Sequence, residues 1–134
     1  MSKSEWENSL KPVIAFVDTS DGWQLATYRY RPSVLRRQHP ALLVHGFGTN
    51  RFDIDFPEAR LSLAKYLYHQ GYDTWVVELR GTGLSRRKSF LGKMMSRLYS
   101  SWNFDDLVYK DFPAVVSHIQ KKTKKKSSIG LGIA

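Results

Sequence analysis

The chain has 134 residues, enough for one domain with a core of its own. It contains no cysteine, which removes disulfides, thiolate metal sites and a cysteine nucleophile, and its 42% hydrophobic content argues against wholesale disorder. The formal net charge is +9, but five lysines between Lys121 and Lys126 carry more than half of it, so the excess is local.

Residues 1–12 read as a polar N-terminal extension with Glu5 and Glu7 and no apolar stretch of signal-peptide length. No later run approaches a membrane span, so a soluble, cytoplasmic protein is the default expectation. Val13 to Asp18 and Trp23 to Tyr30 have strand character, and Asp21-Gly22 between them is a hairpin turn signal. The second run alternates as an outer strand would, and Pro32 closes it. The basic loop Arg36-Arg37-Gln38-His39-Pro40 leads into Ala41-Leu42-Leu43-Val44, apolar on both faces like a strand buried in a parallel sheet; Thr74-Trp75-Val76-Val77 looks like its neighbour.

Between these two strands the pattern predicts a helix from Pro57 to Gln70. Leu63, Ala64 and Leu67 mark its inner face, Pro57 its first turn and Gly71 its cap. Strand, helix, strand is a βαβ unit with parallel pairing. From Ser85 to Ser101, Phe90, Leu91, Met94, Met95, Leu98 and Tyr99 recur at helical spacing among basic residues. Such a segment packs its apolar face on its own domain, covers a site or lies on a membrane. Phe112, Val115, Val116 and Ile119 predict a last helix, with Asp111 as N-cap and Pro113 in its first turn. Residues 124–134 then form a basic, glycine-containing tail after a domain spanning 13–123.

Two loops draw attention for chemistry. Leu42-Leu43-Val44 runs into His45-Gly46-Phe47-Gly48, and Val76-Val77-Glu78-Leu79 runs into Arg80-Gly81-Thr82-Gly83-Leu84-Ser85. A third stretch, Phe104-Asp105-Asp106 through Asp111-Phe112-Pro113-Ala114, follows at matching spacing. In this order the three resemble the N-terminal half of the α/β-hydrolase core, most closely its lipase- and esterase-like serine hydrolases. The resemblance implies an α/β fold holding a partial α/β-hydrolase core: an N-terminal hairpin, a βαβ unit and the following helix. It also implies that the backbone N–H of Phe47 is one donor to the negative oxygen of a tetrahedral intermediate. His45, Gly46, Gly48, Arg80, Gly81, Gly83 and Ser85 take loop-shaping roles by the same resemblance, and Glu78 stands where relatives commonly carry Asp.

No Gly-x-Ser-x-Gly occurs, and Ser128 has lysine rather than glycine two residues before it. In the family the acid and the histidine come later still, so the expectation is a core truncated before the nucleophile strand. Full-length relatives hydrolyse esters or lipids through a Ser-acid-His triad; this chain is expected to be inactive alone.

Two other readings use different features. Without a fifth strand, Ala41 to Val44 would offer an apolar edge to a partner strand, unless Ile129 to Ala134 folds back as a substitute. Lys121 to Lys126 would suit an anionic surface or nucleic acid, although lysines commonly sit at the negative end of a helix and no aromatics interleave with them. His39, His69 and His118 are scattered and read as surface residues. Asp53 and Asp55 read as capping or solvated, so no metal site is expected. Gly81-x-Gly83 is followed by Arg86 where a dinucleotide loop needs a third glycine, and no cofactor is expected.

Overall fold

The computed structural model describes residues 10–89, 91, 94, 102–126 and 129–132. Strands β1 (Val13–Asp18) and β2 (Trp23–Tyr30) form an antiparallel hairpin, closed by a turn in which Gly22 N–H donates to the Thr19 carbonyl. β3 (Ala41–Val44) and β4 (Thr74–Val77) pair in parallel, as a βαβ unit requires. With β6 spanning Ile129–Gly132, the sheet order is β1-β2-β4-β3-β6, and the two-residue β5 (Arg86–Arg87) lies against β2. β2 is therefore an inner strand rather than the outer one its alternation suggests, because β1 and β4 flank it.

β6 (Ile129–Gly132) pairs in parallel with β3, Ala41 opposite Ile129 and Val44 opposite Gly132. The free edge expected at Ala41–Val44 is thus occupied: β3 has ladder partners on both sides, and the tail supplies one of them. Ser127 and Ser128, just before β6, lie outside the described residues.

Period-two alternation sorts the side chains of the inner strands onto two faces. Leu42, Val44, Trp75, Val77, Trp23 and Leu25 join Leu107, Val115 and Ile119 in one cluster. Ala41, Leu43, Val76, Ala26, Tyr28 and Tyr30 join Ile54, Ala64 and Leu67 in the other. The sheet is covered on both sides, which is why its strands read as apolar runs.

Both helices begin elsewhere than the pattern predicts. α1 spans Leu63–His69, not 57–70. Ser62 caps it by accepting from the Lys65 N–H at 3.1 Å, while Pro57 lies ahead of a separate 3-10 turn, Ala59–Leu61. The second helical run starts at Asn103, whose side chain and that of Asp106 form a reciprocal capping box. It continues through α2 (Phe104–Asp106) and a π turn at Leu107–Asp111 into α3 (Phe112–Thr123). Pro113 lacks an N–H and its ring crowds the carbonyl four residues earlier, and the helix accommodates it by widening ahead of it. Asp111 is consequently inside the run, in helical conformation, with no side-chain cap bond. Of the segment 85–101, Leu91 and Met94 are exposed; residues 90, 92, 93 and 95–101, and so most of the predicted amphipathic face, lie outside the described residues.

Candidate active site

β3 and β4 end side by side, and each runs into a turn of the same design. In Gly46–Thr49 the Thr49 N–H donates to the Gly46 carbonyl at 3.2 Å; in Leu79–Thr82 the Thr82 N–H donates to the Leu79 carbonyl at 3.1 Å. The third residue is glycine in both, Gly48 at φ 82° and Gly81 at φ 78°, as a type II turn demands. The fourth is threonine in both, and its hydroxyl reinforces the same bond, Thr49 Oγ1 at 2.9 Å and Thr82 Oγ1 at 2.6 Å.

His45 joins the two turns. Its Nε2 accepts the Leu79 N–H at 3.0 Å, which places the ring proton on Nδ1, and Nδ1 donates to the Gly46 carbonyl at 2.9 Å. Thr82 Oγ1 lies 3.2 Å from Nε2. With the ring buried and both nitrogens engaged by backbone, no nitrogen is left to exchange protons with a substrate.

The Gly46 carbonyl accepts from three donors, Thr49 N–H, Thr49 Oγ1 and His45 Nδ1. The described peptides are all trans, so the Phe47 N–H points opposite to that anchored oxygen. Among the described residues it has no hydrogen-bond partner. The Phe47 side chain is 67% exposed and meets Trp102 edge-to-face at 5.9 Å. Trp102 also lies 3.4 Å from where a Cβ on Gly81 would sit, so one indole leans on both turns. Sequence reasoning missed Trp102; its only local signal is its place immediately before the Asn103 cap.

The remaining loop residues fix the second turn to the core. Ser85 is buried, accepts the Ala26 N–H at 2.9 Å and donates to the Glu78 carbonyl at 2.7 Å, stitching the loop to β2. Glu78 is buried, and its carboxylate accepts from the Tyr28 hydroxyl. A Cβ on Gly83 would collide with the Glu78 carboxylate, so Gly83 is where the longer acid finds room. Arg80 is buried at 1% exposure; its Nε lies 3.1 Å from both Asp111 oxygens and its Nη1 2.7 Å from Asp21. Burial opposes ionisation of Asp21, yet hydrogen bonds from Arg80 and Thr19 hold its carboxyl well below the usual range. At Asp111 burial wins and raises the carboxyl, with Arg80 offsetting part of it.

Asp55 is neither solvated nor a cap. It is buried and bonded to Tyr30 at 2.8 Å, Ser62 at 2.9 Å and Arg51 at 3.0 Å, whereas Asp53 is exposed in a 3-10 turn. Among the described residues no cluster of acidic, histidine or cysteine side chains could hold a metal ion. His118 is not a surface residue either: its ring packs edge-to-face on Trp75 at 5.7 Å, with Nε2 buried and unpaired among the described residues. No helix among those residues is long and apolar enough to cross a membrane.

Comparison with known proteins gives this arrangement its family. The chain is 33% identical over 90 residues to triacylglycerol lipase 2 of Arabidopsis thaliana, covering 67% of this chain and 21% of that protein. It is 32% identical over 123 residues to lipase member K of Mus musculus, covering 87% of this chain and 30% of that one. Among solved structures, the esterase Pf2001 of Pyrococcus furiosus superposes with a TM-score of 0.66 at 15% identity, over 98% of this chain and 45% of the esterase. No protein-family model matches the chain. The chain belongs to the α/β-hydrolase family and carries part of its core. Within the family its sequence relatives are lipases, and it spans less than a third of their length.

Proposed function

We propose that the paired turns form the oxyanion-stabilising side of an ester- or lipid-hydrolysing site, with the Phe47 N–H as one donor. The observation that supports this is the Phe47 N–H, which has no hydrogen-bond partner among the described residues and lies opposite a Gly46 carbonyl with three donors of its own. A donor fixed before reaction stabilises developing negative charge without reorganising, which is the main contribution of such loops. His45, Gly46, Gly48, Arg80, Gly81, Gly83 and Ser85 shape the loops and do not touch the reacting atoms. The lipase names of the sequence relatives support an ester or lipid substrate for a complete enzyme.

Residues 1–134 supply no serine elbow to attack a carbonyl, and the donor that follows the serine in the family is absent with it. Alone, they are proposed not to turn over. The purified chain should hydrolyse p-nitrophenyl esters no faster than buffer and take no fluorophosphonate label; stoichiometric labelling of one serine would overturn the proposal. In the same preparation the Phe47 amide should exchange with deuterium far faster than the Leu79 amide, which His45 holds. A protected Phe47 amide would remove the donor.

A further inference from the structure

At the end of the sheet opposite the paired turns, just before β3 and β4 begin, lies a recess of about 70 Å³. Pro40 and Asp73 floor it; Arg31 and Arg37 enter from the loop after β2, and Lys122 and Lys125 from the end of α3. The linear run of lysines does not reveal this site, because half of its cations come from about ninety residues earlier in the chain. Asp73 is already spent, bound by Arg29 through two bonds of 2.8 and 2.6 Å, and Arg29 in turn stacks on Trp75. Arg37 donates Nε to the Gln70 carbonyl at 3.3 Å and lies over Tyr72, which fixes its plane and leaves its terminal nitrogens for another acceptor. Among the described residues, Arg31, Arg37, Lys122 and Lys125 have no carboxylate partner.

Four uncompensated cations from two segments, held about a fixed Arg–Asp pair, make a site for a compact, multiply charged oxyanion. The recess, about 70 Å³ and partly open to solvent, takes a group of a few heavy atoms among its cations and leaves the rest of a ligand at its mouth. Arginine presents a fork that fits phosphoryl oxygens in pairs, and lysine adds point charge. We infer that this recess, at the end of the sheet away from the paired turns, binds a phosphate monoester group. A small soluble phosphate and the headgroup of a phosphatidate-type lipid offer the same chemistry.

The full chain, at one fixed ionic strength, is titrated with inorganic phosphate by calorimetry and sedimented with phosphatidylcholine vesicles with and without phosphatidate. The expected result is saturable binding in at least one arm. Binding to phosphate in solution identifies a soluble ligand; sedimentation only with phosphatidate vesicles identifies the lipid headgroup. The double variant Arg31→Gln/Lys125→Gln should weaken that binding roughly tenfold or more. Lys121→Gln/Lys124→Gln removes the same charge outside the recess and should leave it within about twofold. All four side chains are exposed, and unchanged far-ultraviolet circular dichroism checks that both variants fold. Equal weakening by both pairs would mean diffuse attraction and would overturn the inference, as would no binding in either arm.

Discussion

His118 shows how one side chain can tie stability to acidity without taking part in chemistry. Its ring is half-buried against Trp75, and its Nε2 finds no partner among the described residues. Burial lowers its pKa below the ordinary 6.5, and the charges of Lys122, Arg29 and Lys121 push it the same way. A histidine whose folded pKa is lowered stabilises the protein fully above 6.5, where both states are neutral. As the pH falls through the folded pKa, the unfolded chain binds the proton first and stability is lost. Thermal melts from neutral to mildly acidic pH, above the range where carboxylates titrate, should show a falling midpoint that is flatter in His118→Phe. Equal slopes in the two proteins would assign the acid sensitivity elsewhere.

Between elements, the strongest tie is Arg80. It joins the β1–β2 turn at Asp21, the end of β4 and the π turn at Asp111, and Lys110 adds bridges to Asp21 at 3.5 Å and Asp106 at 2.8 Å. Removing one member of a buried ion group leaves the others desolvated and unpaired, at a cost of about 3–5 kcal/mol. Arg80→Ala should lower urea stability by about that amount, whereas Lys110→Ala, an exposed and solvent-screened partner, should cost much less. Similar losses in both would mean that Arg80 acts through packing rather than charge. Neither partner of Arg80 is legible in the sequence, because they lie 31 and 59 positions away. What local pattern does carry is the strands, the βαβ unit, the buried face of α3 and the two glycine loops. The helices start elsewhere than Pro57 and Asp111 suggest because Ser62 and Asn103 supply the caps. The caps depend on side-chain bonds, to Lys65 N–H and Asp106 N–H, that apolar periodicity does not register. Similarly, the glycine loops were readable as types of residue, but not the histidine clip or the indole that holds them together.

For the molecule as a whole, the tail is the sensitive piece. β6 covers one side of β3, whose four residues are all buried. A chain stopped at Lys126 would bare the ladder groups of an apolar strand, a template for pairing with other chains. Size-exclusion chromatography should show the 134-residue chain with a smaller share of high-mass species than the chain of 126 residues. If the shorter chain elutes as cleanly, β6 contributes little to keeping β3 covered.

The clip at His45 also orders events in time. Each turn closes over four residues and can form and dissolve on its own, but the bond from Leu79 to His45 spans 34 residues and needs β3 and β4 already side by side. Long-separation contacts are made only after the loop-closure entropy has been met. The loop that carries the Phe47 N–H therefore takes its final shape only once β3 and β4 have paired.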